Sequence, residues 1–194
     1  METDPRVPPF IERSPTTHEI TRVDVEKIKS DPQFSQVMER QLSGWEGQTA
    51  PEFQLTTLDG KDLSSRGLRG RVVLLYVWFT GCPPCMKEAP ELAALDRDLG
   101  AQGLSVVGAN ADRILGLDYT DDDRRRYIEM EKIAFPVVHW SKQADRDYGG
   151  IAIYPSMFLV DRHSAVVHHW VGYTEGSKVR QAISAALATG PSNP

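Results

Sequence analysis

Val72-Val73-Leu74-Leu75-Tyr76-Val77-Trp78-Phe79-Thr80-Gly81-Cys82-Pro83-Pro84-Cys85-Met86 is the stretch on which the reading of this chain turns. Its first eight residues are apolar, β-branched or aromatic, which predicts a central strand over Val72 to Phe79 buried on both faces. From Met86 to about Leu99 the spacing is helical. Between the two lie Cys82 and Cys85, the only cysteines among 194 residues. With no others, there is no disulfide framework to staple and no four-cysteine metal site to build. A C-x-x-C at a strand-to-helix junction reads instead as a dithiol/disulfide redox centre.

Composition narrows the setting. The chain is long enough for one domain with additions, and 40% hydrophobic with 25% charged residues is ordinary for a globular protein. A formal net charge of −5 argues against a nucleic-acid binder, which needs basic surface to neutralise phosphates. The one basic run, Arg124-Arg125-Arg126, follows Asp121-Asp122-Asp123 and predicts a solvated helix face rather than a phosphate site. No stretch approaches the ~20 apolar residues of a membrane span. The opening Met1-Glu2-Thr3-Asp4-Pro5 lacks the basic and apolar segments of a secretory signal. Two settings follow: cytoplasmic, or envelope-facing after removal of a signal or anchor.

Working outward, residues 1 to about 20 read as an extended arm. Short helices are expected from about Val23 to Lys29 and after Asp31-Pro32, the second carrying Phe34, Val37, Met38 and Leu42 on one face. The N-terminal arm and helices then cover 1–46, a core domain 47–188, and a tail 189–194. Ala50 to Thr56 alternates like a strand, and Leu58-Asp59-Gly60-Lys61 reads as a hairpin turn. Further strands are expected over Leu104 to Ala109 and Phe135 to Trp140. Ser156 to Val160 and Ala165 to Val171 read as a hairpin. Helices are expected over Thr120 to Ile133, starting at a Thr120 cap, around Gln143 to Tyr148, and over Glu175 to Ala188 with Val179, Ile183, Ala186 and Leu187 inward. Such alternation predicts an α/β fold in three layers, a mixed central sheet with helices on both faces.

On these residues the chain resembles the thioredoxin superfamily, and within it the TlpA-type thiol–disulfide oxidoreductases related to the AhpC/redoxin group. The resemblance covers roughly residues 47 to 188. It rests on Ala50-Pro51-Glu52-Phe53 with Leu58-Asp59-Gly60-Lys61, Trp78 ahead of Cys82-Pro83-Pro84-Cys85-Met86-Lys87-Glu88-Ala89-Pro90, Phe135-Pro136-Val137, and Tyr154-Pro155 before Phe158-Leu159-Val160-Asp161. Three departures stand out. Gly81 replaces the aromatic residue usual before the first cysteine, Tyr76 replaces thioredoxin's buried aspartate, and Ser156-Met157 follows the proline where threonines are commoner. The resemblance implies a thioredoxin-like fold with an added N-terminal hairpin, and an envelope or periplasmic setting if a leader was removed.

The chemistry follows from where the sulfurs stand. A thiolate is the attacking species, and Cys82 at a helix start gains from free N–H groups and the helix dipole. Pro83 and Pro84 carry no N–H, so Cys85 N–H is the main backbone donor left for the Cys82 sulfur. That predicts moderate thiolate stabilisation, a reducing couple, an exposed attacking Cys82 and a buried resolving Cys85. Glu88, three residues after Cys85, falls on the inward helix face with Ala89, Leu92 and Leu95; desolvation should raise its pKa and suit it as proton acceptor. By resemblance, Pro155 is a cis-proline facing the dithiol, and the substrate-facing set is Trp78, Pro83, Pro84, Tyr154 and Pro155. The five histidines show no metal-ligand spacing, and His168-His169 reads as an exposed pair. Neither metal nor cofactor is expected.

Three functions compete. The first is a monomeric oxidoreductase exchanging disulfides with client proteins and an upstream thiol donor. The second is a thiol peroxidase, although the position three before the attacking cysteine is Phe79, with Thr80 one place off. The third is a non-enzymatic binding module that senses redox state through its dithiol.

Overall fold

Alternation decides the centre of the sheet. All seven residues of β5 (Val72–Trp78) are buried. Val72, Leu74, Tyr76 and Trp78 enter one core, while Val73, Leu75 and Val77 enter the other. A strand with two apolar faces is stable only between two layers, and each fully buried side chain of this size contributes about 1.5–3 kcal/mol. The computed structural model describes residues 44–189 throughout, together with Ile11–Arg13, Thr16, Ile20–Val23, Pro32 and Gln36.

The five-stranded sheet runs β7-β6-β5-β8-β9. β6 (Leu104–Asn110) and β7 (Val137–His139) run parallel to β5 on one side, while on the other β8 (Ser156–Val160) pairs antiparallel with β5 and β9 (Val166–Val171) antiparallel with β8. One face carries α1 (Pro83–Leu99) and α5 (Gly176–Ala188), which bury Leu92, Leu95, Val179 and Ile183. The other carries α4 (Lys142–Asp147) and the hairpin of β3 (Gln54–Thr56) with β4 (Asp62–Ser64), packed through Phe53, Leu55, Trp140, Ala144 and Tyr148. The sheet, its helices and the hairpin are thus the thioredoxin-like α/β arrangement expected. Among the described residues, no helix is long and apolar enough to cross a membrane.

The backbone divides into two compact units, 1–40 and 41–194. In the first, β1 (Ile11–Arg13) pairs antiparallel with β2 (Ile20–Val23). This corrects the reading of an arm up to residue 20. Val23, expected to open a helix, ends a strand, and the rest of that helix lies outside the described residues. Pro32 and Gln36 are helical, while Phe34, Val37, Met38 and Leu42 also lie outside them.

Other differences have physical reasons. Phe135 to Trp140 narrows to Val137–His139, paired with Gly108–Asn110, and Pro136 just before it has no N–H to donate to a ladder. The histidines are not an exposed pair. His168 turns out towards Glu46 at 3.3 Å, but His169 stacks on Phe158 with ring centroids 4.3 Å apart. Burial lowers the His169 pKa to about 4.

The basic run is corrected as well. α3 (Asp121–Met130) begins at the Thr120 cap, with a reciprocal Thr120–Asp123 capping box. Arg125 and Arg126 stay solvated, but Arg124 is only 3% exposed. Its Nε donates to Asp112 Oδ2 at 2.9 Å, and its other arm reaches Asp121 Oδ1 at 2.9 Å. Asp112, fully buried at the start of α2 (Asp112–Leu115), also accepts Thr80 N–H at 2.8 Å and the Thr80 hydroxyl at 2.7 Å. Asn110 joins through contacts to Asp112 N–H and Thr80 Oγ1. This network ties the end of β5 to the end of β6 two residues before Cys82.

Removing one member of a buried ion pair leaves an uncompensated charge. Arg124→Met should therefore cost about 3–5 kcal/mol in urea unfolding, and adding Asp112→Asn should recover part of that loss.

Candidate active site

β5 ends at Trp78, and the chain turns through Phe79-Thr80-Gly81 into α1. Cys82 is the N-cap of that helix, with extended φ/ψ of −72° and 112°. Pro83 and Pro84 fill the first two helical positions, where a missing N–H costs no ladder bond. The first free donor is Cys85 N–H, and it points at Cys82 Sγ, 3.3 Å away. The single-donor arrangement expected from the two prolines is therefore present. Cys82 and Cys85 are joined in a disulfide, with Cα atoms 5.2 Å apart.

Cys85 is fully buried, as expected, but Cys82 is only 1% exposed. The expectation of an open Cys82 is corrected: in this disulfide-bonded form it packs within the core cluster beside Cys85. Exposure instead belongs to its neighbours Gly81 and Pro83. Behind the pair, Tyr76 donates its hydroxyl to Cys85 O at 3.1 Å, so a strand residue fixes the first turn of the helix.

Glu88 lies one turn beyond Cys85 and is 0% exposed. Oε1 accepts the Thr174 N–H at 2.9 Å, while Oε2 is buried with no hydrogen-bond partner among the described residues. Burial pushes its pKa up to about 7; the Thr174 N–H opposes that shift and the nearby Glu91 charge adds to it. The inward, desolvated position expected from helix spacing is thus present, and it is this burial that raises the carboxyl pKa. Glu91 accepts the Gly176 N–H at 2.6 Å, so two carboxylates of α1 clasp the segment leading into α5.

The Tyr154–Pro155 bond is cis, as expected. Pro155 is buried, and Tyr154 packs its ring edge-to-face on Phe79, with centroids 5.4 Å apart. Tyr154 also packs against the core cluster that holds both cysteines. Trp78, expected among the substrate-facing residues, stands inside that core at 1% exposure, stacked on Tyr127, and offers no surface. The sequence reading missed Asp112, Asn110 and Arg124, which fasten Thr80, and it missed Thr174 and Glu91. The i, i+3 pairing within Asp121–Arg126 carried a signal for the first group. None existed for Thr174, which lies 86 positions from Glu88.

Similarity agrees with this geometry. Residues 47–169 match the model of the AhpC/TSA family. The thioredoxin-like protein YneN of Bacillus subtilis is 29% identical over 71% of this chain and 78% of its own length. The thiol-disulfide oxidoreductase ResA of Halalkalibacterium halodurans is 30% identical over 66% of this chain and 70% of its own. Among solved structures, a thiol:disulfide interchange protein of the thioredoxin family from Chlorobium tepidum superposes with a TM-score of 0.65 at 25% identity, covering 75% of this chain and 99% of that one. A disulfide-bonded Cys-Pro-Pro-Cys at the head of α1, on this sheet and with these relatives, means that the chain belongs to the AhpC/TSA family as a TlpA-type, thioredoxin-like thiol–disulfide oxidoreductase.

Proposed function

We propose that the domain of residues 47–188 acts as a monomer that reduces or exchanges disulfides of client proteins, with Cys82 attacking and Cys85 resolving. The observation that carries this reading is the Cys82–Cys85 bond itself, set at a helix start where Cys85 N–H already faces the Cys82 sulfur. In the reduced protein the Cys82 thiolate attacks one sulfur of a client disulfide. The client's S–S bond breaks, and its other sulfur leaves as a thiolate. Cys85 then gives its proton to the Glu88 carboxylate and attacks Cys82 Sγ, freeing the second client sulfur and closing the Cys82–Cys85 bond. An upstream dithiol donor returns the pair to the reduced state by the reverse exchange. Pro83, Pro84, Tyr154 and Pro155 border the route of the client chain, and Trp78 supports the site from behind.

The peroxidase alternative gains little from the geometry. Phe79 holds the position where a hydroxyl is needed, and the neighbouring Thr80 hydroxyl is already committed to Asp112. Insulin reduction by dithiothreitol, run beside peroxide consumption, separates the readings: turnover only with peroxide would overturn this one.

Cys82→Ser should abolish insulin reduction, whereas Cys85→Ser should accumulate a mixed disulfide with the client, visible on non-reducing gels. Faster alkylation of Cys85 than of Cys82 in the reduced protein would contradict these roles.

Glu88 makes two pH predictions. If its ionised form takes the Cys85 proton, exchange rates should rise as pH passes through about 7, and Glu88→Gln should be slower and lack that inflection. Superimposable profiles would leave Glu88 without a role. For stability, the folded pKa of about 7 lies above the ordinary 4.5, so the folded state binds this proton more tightly. The contribution is fully present below about pH 4.5 and is lost as pH rises through about 7. Thermal melts should show Glu88→Gln gaining on the wild type across that window.

A further inference from the structure

Gly81, immediately before Cys82, is exposed and adopts φ of 79°, in the left-handed region. A Cβ placed on it would lie 3.2 Å from the Tyr119 hydroxyl, closer than ordinary contact. A side chain from the segment between α2 and α3 thus reaches across to the backbone beside the attacking sulfur. Tyr119 is 40% exposed, and among the described residues its hydroxyl has no hydrogen-bond partner.

The segment that carries it is fastened at both ends. Leu117 N–H donates to Asp112 O at 2.9 Å, and Asp112 in turn holds Thr80. At the far end, Asp121 receives Arg113 at 3.2 Å and Arg124 at 2.9 Å, and Thr120 closes the capping box. The same buried network therefore anchors the Cys82 loop and the Tyr119 segment. An exposed aromatic side chain with few rotatable bonds, held in place beside a nucleophile, loses little entropy on contact.

We infer that Tyr119 is a client-docking residue, contacting the polypeptide that flanks the disulfide under attack. The exposed positions on either side of Cys82 are Gly81 and Pro83, and a chain that approaches the sulfur over Gly81 meets the Tyr119 side chain, whose hydroxyl stands beside that glycine. The phenol is free to hydrogen-bond a main-chain amide of an extended segment, and the ring covers its aliphatic side chains. The Gly81 backbone leaves the space that both need. A small disulfide, with no flanking chain, would not use the contact. The inference rests on the proposed action on protein disulfides.

The test compares Tyr119→Ala and Tyr119→Phe with wild type on two substrates, insulin and oxidised glutathione, with Met130→Ala as a control at a remote, 73% exposed apolar position. Tyr119→Ala should lower kcat/KM for insulin by about fivefold or more, mainly through KM, with Tyr119→Phe losing about half as much on a logarithmic scale. Rates with oxidised glutathione, the pH profile and the melting midpoint should stay at wild-type values, as should every property of Met130→Ala. An equal fall on both substrates, or no fall on insulin, overturns the docking role. Wild type that turns over oxidised glutathione but not insulin overturns the protein-disulfide reading, and the docking role with it, before any variant is compared.

Discussion

A strand with two buried faces constrains everything around it. Because Val72–Trp78 must be covered above and below, β5 takes the middle of the sheet, and its carboxyl end becomes the place where the chain leaves one layer for another. The turn that follows has little freedom. Its Thr80 is held by a carboxylate from the next strand's end, and its Cys82 must cap the helix that roofs one core. The position of the sulfurs is therefore a result of core packing, transmitted through a few residues of backbone.

The molecule buries two carboxylates near this point and treats them differently. Asp112 has a guanidinium and two Thr80 donors, so its charge has partners inside the protein. Among the described residues, Glu88 has one backbone N–H, no ion-pair partner, and one oxygen without a hydrogen bond. The first arrangement fixes a loop. The second holds the Thr174 backbone through one oxygen and leaves the other without a counter-charge, so burial raises its pKa towards neutrality.

How much of this was legible depended on the range of the signal. β5 and the Cys-x-x-C helix announce themselves through local pattern. The inward face of Glu88 follows from counting residues along α1, and Thr120 as a cap follows from residue type. Arg124 was misread because Arg124, Arg125 and Arg126 are chemically identical in sequence; only the location of Asp112 on a different element selects one of them for burial. His169 was misread for a similar reason, since its partner ring Phe158 belongs to the neighbouring strand. α2 has four residues, too few to show a period. Contacts across tens of residues leave no mark on local composition, and the fasteners of this site are of that kind.

The clasp between α1 and the start of α5 has a bearing on assembly. α5 lacks a side-chain cap of its own: Glu175 makes none, and Gly176 N–H is satisfied by Glu91 from 85 positions earlier. A helix start left open is a fraying end in water. The turn closes on its own backbone, with Lys178 and Val179 N–H both reaching Glu175 O, but its foremost donor has a partner only on α1, so a shift of α1 would leave the Gly176 N–H unpaired. Glu88 holds Thr174 in the same clasp, so a movement of the dithiol helix would be felt in the segment leading into α5 as well as in the sheet that the helix covers.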